Sequence, residues 1–371
     1  MIVSLTAQVI STNGTVSITN TAGTVISLGA SSAVETNAGG TLTNDGTLST
    51  AALTNAGALE GNGTYTITGA FTNSGTFTAG TSTVDYANAA GGQTVIPLNY
   101  HNLTISNTSN TTTLTGSIGV KGTFSPSAGA LTSAGTSTVD FNNATGGQTV
   151  PAFLYYDLTV SNGSGVTTLS GNIGVGNIFT PSVGGLTSAG TSNVDLNGSA
   201  AQSIPSFTYH DLTLTSSSAV TKTMTGAVTV NNDLTVTANN TLDDGGYQLA
   251  GNGSGTFSMA AGTSLILGTA GTATLFPTNF ITANIALDAA SVVVYNSDQP
   301  QSISAAPVYG YLTLTAGSAV TKTVSGAVTV ATDLTVGTNN TLNVTGSVQI
   351  NTGDLILNGT LDNSGTIDIG L

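Results

Sequence analysis

The 371-residue chain has no cysteine, no tryptophan and almost no positive charge. The absence of cysteine excludes a disulfide scaffold and a thiolate metal site. Only three residues are Lys or Arg, and all three are lysines: Lys121, Lys222 and Lys322. Proteins bind nucleic-acid phosphates and anionic lipids through Lys and Arg. The composition therefore argues against a nucleic-acid partner and against attraction to an anionic membrane surface.

Long hydrophobic runs are also missing. No stretch approaches the roughly 20 apolar residues that span a bilayer, so we expect no membrane insertion. The start, "MIVSLTAQVI", lacks the positive n-region and the cleavage site of a signal peptide. If the protein is exported, we expect its signal to lie outside this sequence. The end, "GTIDIGL", likewise suggests a segment of a longer chain.

Charged residues make up only 5% of the chain, against about 25% in ordinary globular domains. The net charge of −14 follows from the lack of bases, since Asp and Glu number only 17. Hydrophobic residues still reach 39%, so the chain has enough apolar surface to build a core. This balance argues against intrinsic disorder.

Internal repeats dominate the sequence. "TLTGSIGV", "TLSGNIGV", "TMTGAVTV" and "TVSGAVTV" place Gly116, Gly171, Gly226 and Gly326 at spacings of 55, 55 and 100 residues. The phrase "GTSTVD" or "GTSNVD" begins at positions 80, 135 and 190 with the same period. Such self-similarity is typical of stacked structural units.

A shorter phrase, apolar-x-Asn-x-Gly-x-apolar, occurs near both ends of the chain. It covers 42–48, 53–59, 71–77 and 361–367, with steps of 11 and 18 residues between the first three. These steps indicate a turn of about 18–22 residues made of short strands. A 55-residue unit is then predicted to contain roughly three turns.

Apolar residues within the units alternate with polar ones, as at Val228, Val230, Leu234 and Val236. This period of two predicts strands, and the Asn and Gly clusters between them predict turns. The sequence therefore predicts an all-β fold, a parallel β-solenoid of roughly 17–20 short coils. The alternative is an array of β-sandwich domains, which would need units of about 90–100 residues.

The predicted organisation is one continuous solenoid over 1–371. It comprises N-terminal coils at 1–79, the longer repeat units at 80–342, and C-terminal coils at 343–371.

The order of phrases Gln148-Thr-Val-Pro, Tyr155-Tyr-Asp-Leu-Thr-Val and "TTLSGNIGV" resembles a repeat of very large exported bacterial surface proteins, notably of the Bacteroidetes type. The "TNxGTL" phrases resemble the coils of filamentous-haemagglutinin-type adhesins. Together the two resemblances cover most of residues 40–371. They imply a right-handed β-helix in a cell-surface adhesin, stalk or fibre, and they bring no catalytic residues.

The repeated lysines, Lys222 and Lys322, are the first candidate functional residues. The matching positions in the earlier units hold Thr112 and Thr167, so the repeat does not require a base there. We predict solvated strand residues near an acid; the alternative is a pair of ligand contacts.

The repeated glycines and Tyr100, Tyr155, Tyr209 and Tyr309 are predicted to be structural positions. The tyrosines should pack at a corner of each coil, with their hydroxyls reaching solvent.

His101 and His210 share the position after a repeated tyrosine. Positions about three coils apart lie about 14 Å from each other, which argues against a shared metal site.

Asp85, Asp140 and Asp195 are predicted to face solvent, with calcium bridging between coils as the alternative. They are weak calcium candidates, because the sequence contains no EF-hand loop and no G-G-x-G-x-D nonapeptide.

Asp243 and Asp244 form the only adjacent acid pair. Arginine is absent and no Lys or His is close in sequence, so we expect no catalytic and no cofactor-binding residues.

These observations predict a structural or adhesive protein of the bacterial cell surface, not an enzyme. Its partners would be other copies of itself, arranged end to end or laterally, or a surface glycan or protein receptor. The first alternative is a ligand-binding solenoid that recognises a glycan or, with less support, ice. The second is a polysaccharide-active β-helix enzyme.

Overall fold

The computed structural model describes residues 2–5, 9–12, 14–128 and 131–370. These residues form short strands and two single-turn 3-10 helices, Val183–Gly185 and Thr282–Asn284. No helix among them is long and apolar enough to cross a bilayer.

The strands up to residue 180 are β1 Ile2–Leu5, β2 Val9–Thr12, β3 Ser17–Asn20, β4 Val25–Leu28, β5 Ala33–Thr36, β6 Thr41–Asn44, β7 Thr47–Thr50, β8 Ala52–Asn55, β9 Ala58–Glu60, β10 Thr64–Ile67, β11 Phe71–Asn73, β12 Thr76–Phe77, β13 Thr83–Tyr86, β14 Thr94–Val95, β15 Asn99–Tyr100, β16 Asn102–Ile105, β17 Thr112–Leu114, β18 Ser117–Val120, β19 Phe124–Ser125, β20 Thr132–Ser133, β21 Thr138–Phe141, β22 Thr149–Val150, β23 Phe153–Tyr155, β24 Asp157–Val160, β25 Thr167–Leu169, β26 Asn172–Val175 and β27 Phe179–Thr180.

The later strands are β28 Thr187–Ser188, β29 Asn193–Leu196, β30 Gln202–Ile204, β31 Thr208–Tyr209, β32 Asp211–Leu214, β33 Val220–Met224, β34 Val228–Val230, β35 Leu234–Val236, β36 Asn240–Asp243, β37 Leu249–Ala250, β38 Phe257–Met259, β39 Ser264–Leu267, β40 Ile285–Leu287, β41 Val292–Tyr295, β42 Gln301–Ser302, β43 Val308–Tyr309, β44 Tyr311–Leu314, β45 Val320–Val324, β46 Ala327–Val330, β47 Leu334–Val336, β48 Asn340–Val344, β49 Ser347–Ile350, β50 Leu355–Leu357, β51 Thr360–Asn363 and β52 Thr366–Ile369.

The chain divides into two compact units. The first comprises Met1–Ser170 and Thr180–Ser188, and the second comprises Gly171–Phe179 and Ala189–Leu371.

The paired strands of both units run parallel, and the typical partner of a strand is the third strand along the chain. In the first unit Leu48 of β7 pairs with Tyr65 of β10, which pairs with Val84 of β13. In the second unit Leu212 of β32 pairs with Leu234 of β35. Three strands therefore make one turn, and the prediction of a parallel β-solenoid is confirmed, with about 18 turns. The alternative of a β-sandwich array is wrong, because the paired strands are parallel rather than antiparallel.

Side chains alternate between the interior and the surface along each strand, as the period of two predicts. Leu48, Tyr65, Val84 and Leu103 follow one another along one column of the first unit, and each is at most 2% exposed. Burying one such side chain contributes about 1.5–3 kcal/mol. Stacked columns of this kind form the core of both units.

Buried asparagines explain the "TN" phrases of the first unit. The Asn20 side chain donates to Asn44 Oδ1 at 2.7 Å, and the Asn55 side chain donates to Asn73 Oδ1 at 2.6 Å. Asn44 also donates to the Thr64 carbonyl at 3.0 Å. Stacked amides therefore pair polar groups at strand ends that would be costly to bury alone.

The 55-residue repeat contains eight strands. In the first unit the "GTSTVD" phrase reaches Asp85 on β13 and Asp140 on β21. Eight strands at three per turn equal two and two-thirds turns, in agreement with the roughly three turns that the spacing predicts, but not a whole number. Equivalent residues therefore lie in different sheets: β13 belongs to the sheet β1-β4-β7-β10-β13-β16-β19, whereas β21 pairs with β18 and β24.

The second unit shows a similar displacement. Gly226 precedes β34, in the sheet β31-β34-β37, and Gly326 precedes β46, in the sheet β43-β46-β49-β52. The two copies of this phrase thus occupy different sheets.

Candidate functional site

The repeated lysines are buried, and the prediction that they are solvated is wrong. Lys222 on β33 and Lys322 on β45 are both 0% exposed. They pair in register with Gln202 of β30 and Gln301 of β42. The alternation along β33 and β45 places these positions inside, between the inward-facing apolar residues of the same strands.

Each lysine forms hydrogen bonds with a buried glutamine and with backbone carbonyls. The Lys222 ammonium donates to Gln202 Oε1 and to the Gly198 carbonyl, the latter at 3.2 Å. The Lys322 ammonium donates to Gln301 Oε1 at 2.6 Å and to the Ser297 carbonyl. Protein acceptors thus surround both ammonium groups, which makes a role as ligand contacts unnecessary.

Burial lowers the pKa of the Lys222 ammonium to about 8, although the charge of Asp195 acts in the opposite direction. Burial lowers the pKa of Lys322 to about 8 as well, opposed by Asp298. Desolvation therefore outweighs the attraction of the nearby carboxylate at both sites.

The glutamine is the shared element of all four repeats. Its side-chain amide donates to two carbonyls further back in the chain: Gln93 to Ile67 and Gly69, and Gln148 to Val120 and Gly122. Gln202 and Gln301 make equivalent pairs of bonds. The recurring glutamine, in "GGQTV" at 91–95 and 146–150 and in "QSI" at 202–204 and 301–303, was the signal for this bond, but glutamine in a polar turn is normally exposed.

In the first unit, threonine occupies the position that Lys222 and Lys322 hold in the second unit. Thr112 and Thr167 are buried there, and their hydroxyls have no hydrogen-bond partner. The nearby Asn107 amide donates to the carbonyls of Asn110 and Leu131, at 2.5 and 3.2 Å. Asn162 donates to Gly165 and Leu186 in the same way. Asparagine therefore caps loop carbonyls in units where threonine replaces the lysine.

The repeated tyrosines Tyr100, Tyr155, Tyr209 and Tyr309 are buried, at most 1% exposed. Their hydroxyls donate to backbone carbonyls four or five residues earlier, as in Tyr100 to Ile96 at 2.8 Å and Tyr155 to Pro151 at 3.0 Å. The prediction that these hydroxyls reach solvent is wrong. Burial raises the pKa of all four phenols above the usual value.

The repeated glycines do not share one conformation. Gly116 and Gly171 have φ values of 61° and 73°, in the left-handed region that favours glycine. Gly226 and Gly326 lie outside that region, and a Cβ at Gly226 would stand 2.6 Å from the Ser206 Cβ. The glycine is therefore required for a turn at the first two positions and for close approach at the third.

Asp85, Asp140 and Asp195 each accept a hydrogen bond from a hydroxyl about 20 residues later. The donors are Ser106 at 2.8 Å, Ser161 at 2.7 Å and Thr215 at 2.8 Å. Burial raises the pKa of all three carboxyls. They belong to three different sheets and do not converge. Among the described residues no three His, Cys, Asp or Glu side chains are grouped to hold a metal ion.

The remaining titratable candidates also stand apart. His210 Nδ1 lies 3.1 Å from its neighbour Asp211. Asp244 is 1% exposed, and it accepts hydrogen bonds from the Gly246 and Gly268 amides and from the Thr274 hydroxyl. Burial raises its pKa. Asp244 therefore fastens the segment around 268–274 to the end of β36, and the Asp243–Asp244 pair does not form an open acid–base pair.

One candidate site in the first unit was not found from the sequence. We call it the sheet-break groove; Phe77, Pro97, Asn99, Asp140 and Asn142 are among the residues that line it. Its volume is about 370 Å³. It lies where β12 ends the sheet β3-β6-β9-β12 and β15 begins the sheet that continues with β18.

An amide bridge crosses the floor of the groove. The Asn142 side chain donates to Asn99 Oδ1 at 3.3 Å, over the backbone of Gly119. A Cβ at Gly119 would lie 2.0 Å from Asn99 Oδ1 and 2.5 Å from Asn142 Nδ2. Gly119 is thus the residue that leaves space for the bridge. This role of Gly119 was not predictable from "SIGV", which is typical of an ordinary strand.

Comparison of the chain with known proteins finds no matching family model, no matching curated protein and no matching solved structure.

Proposed function

We propose that this protein is a structural and adhesive segment of a bacterial cell surface. The observation that carries the proposal is the parallel ladder itself, which adds one turn of about 4.8 Å at a time. The resemblance of the repeat phrases to exported surface proteins supports the location. A surface of small polar residues with only 5% charge suits an exposed environment of variable salt.

The interior supports a structural role as well. Its unusual polar groups, namely the Gln–Lys pairs, the tyrosine hydroxyls and the asparagine amides, donate hydrogen bonds to the protein's own backbone carbonyls. They hold turns together and leave no reactive cluster among the described residues.

Self-assembly is part of the proposal. Among the described residues, the strands of the turn β50–β52 pair on one side only, with β47, β48 and β49. Leu357 and Ile369, which continue inward-facing columns, are 46% and 49% exposed. Where the same chain does not continue the ladder, a parallel edge of this kind is a template for a strand of a second copy.

The test combines solution scattering with sedimentation over a range of protein concentrations. The proposal expects an elongated particle whose mass rises with concentration. A compact particle would contradict the structural role. An elongated particle of constant mass would contradict only the self-assembly.

A second candidate function, recognition of a surface glycan, is favoured by the sheet-break groove.

A further inference from the structure

We propose that the sheet-break groove binds a neutral saccharide; this inference rests on the adhesive part of the proposed function. The groove volume of about 370 Å³ lies at the small end of the range for small-molecule sites, about 300–1,000 Å³. The groove exists because the ladder is interrupted: β12 pairs with β9, and β15 pairs with β18.

In the next repeat, an aromatic side chain fills the space at the corresponding interruption of the ladder. Aligned on the repeated tyrosine, Leu98 of the first repeat corresponds to Phe153 of the second. The Phe153 ring packs edge-on against Tyr155 at 4.9 Å and against Phe124 at 5.4 Å between ring centroids. In the first repeat the smaller Leu98 leaves this space open. The aromatic ring there is Phe77 of β12, which lies 6.0 Å from Tyr100 and lines the groove.

The polar groups of the groove require a ligand that donates hydrogen bonds. Asn142 Oδ1 is buried and has no partner, which leaves an acceptor that costs about 1–3 kcal/mol unless a donor reaches it. Asp140 supplies a carboxylate that accepts a hydrogen bond from the Ser161 hydroxyl, which lies 2.7 Å from Oδ1 and 2.8 Å from Oδ2. Sugar hydroxyls donate to such oxygens and also accept from amide groups.

The other groups that line the groove restrict which hydrogen-bond-donating ligands fit it. The ring of Phe77 and the exposed Pro97 offer apolar surface to the C–H face of a sugar ring. Asp140 is the one charged side chain that lines the groove, and it repels acidic sugars. A single carboxylate is also too few for a calcium site, which commonly takes six to eight oxygen ligands. A neutral saccharide fits these constraints together.

The chain provides a matched pair of variants for the test. Asp140→Asn removes the carboxylate from the groove. Asp85→Asn makes the same change at the equivalent residue, which accepts the same kind of serine hydroxyl but lies outside the groove. Gly119→Ala adds a methyl group that must displace the amide bridge. Its backbone φ lies outside the left-handed region, so alanine introduces no backbone strain.

The experiment screens the full chain against an array of neutral and acidic oligosaccharides. It then measures affinity by saturation-transfer NMR with methyl glycosides of glucose, galactose, mannose and N-acetylglucosamine. The expected result is binding of a neutral sugar that Asp140→Asn and Gly119→Ala each weaken about tenfold or more, equivalent to about 1.4 kcal/mol. Asp85→Asn should bind like the unmodified protein. Circular dichroism checks that each variant keeps its strands.

Three results would overturn the inference. Equal binding by the unmodified protein and both groove variants would move recognition to another surface and leave the adhesive function standing. Binding of acidic sugars only, or binding that EDTA abolishes, would exclude this ligand chemistry. If no saccharide binds the unmodified protein, the groove inference fails, while the scattering and sedimentation test of the structural role is unaffected.

Discussion

The two buried lysines predict an unusual dependence of stability on pH. Their pKa is about 8 in the folded protein, against the ordinary 10.5 expected for the unfolded chain. Well below pH 8 both states carry the proton, so these groups add no pH dependence, and the cost of burying the charged ammonium groups is fully present. Between pH 8 and 10.5 the unfolded state binds more protons than the folded state, so stability rises with pH.

The size of the effect follows from the difference in pKa. The slope reaches at most about 1.4 kcal/mol per pH unit per lysine, in the middle of that window. From pH 8 to 9.5 the two lysines together should stabilise the folded protein by about 3 kcal/mol. Above pH 10 the buried tyrosines act in the opposite direction. Burial raises their pKa in the folded state, so the unfolded state loses its phenolic protons first and stability falls.

Urea unfolding between pH 7 and 9.5 measures this rise, and the Lys222→Met, Lys322→Met double variant should lack it. NMR of a lysine-selectively labelled sample provides a site-resolved check, because the chain contains only three lysines. Lys121, which is exposed, gives the third signal. Titration of the Lys222 and Lys322 signals near 10.5, or an unchanged rise in the double variant, would refute the reasoning.

Further predictions concern the buried polar groups. Gln202→Leu should destabilise the second unit by about 3–5 kcal/mol, because it leaves the Lys222 ammonium buried with one partner fewer; Gln93→Leu, which affects no charge, should cost less by the same urea assay. Asn44→Ala should cost about 1–3 kcal/mol, because Asn20 and the Thr64 carbonyl each lose a buried partner, whereas Ser49→Ala on the outer face should have little effect. Tyr100→Phe should reduce the loss of stability above pH 10, and alkaline unfolding curves that match those of the unmodified protein would contradict it.

The alternation of apolar and polar residues was sufficient to predict the strands and the solenoid. Val228 and Val230, for example, are both buried, and the polar residue between them is not. The alternation does not show how many strands fill one repeat. Strands of two residues, such as β14 and β15, are too short to show a period, so the sequence predicts roughly three turns per 55-residue unit without showing that the number is not whole.

The alternation also predicts an inward position for Lys222 and Lys322. Removing a charged group from water is costly, however, and this cost favours the prediction of a solvated lysine. Lys222 is buried because it has a hydrogen-bond partner on a different strand. This partner is Gln202, which lies 20 residues earlier in the sequence. The sheet-break groove was unpredictable for a similar reason. Asn99 and Asn142 lie 43 residues apart, and only the stacking of turns brings their amides together over Gly119.

The central claim is the parallel register of turns about 20 residues long, and the absence of cysteine permits a direct test. Thr54 and Thr72 are exposed, pair in register, and have hydroxyl oxygens 3.2 Å apart. Neighbouring parallel strands lie about 4.8 Å apart, within the Cα separation that a disulfide spans. A Thr54→Cys, Thr72→Cys variant should therefore form an intramolecular disulfide on mild oxidation. The control, Thr54→Cys with Thr76→Cys, should not, because β12 pairs with β9 in another sheet. A free thiol pair at 54 and 72, or equally fast closure in the control, would contradict the β-solenoid.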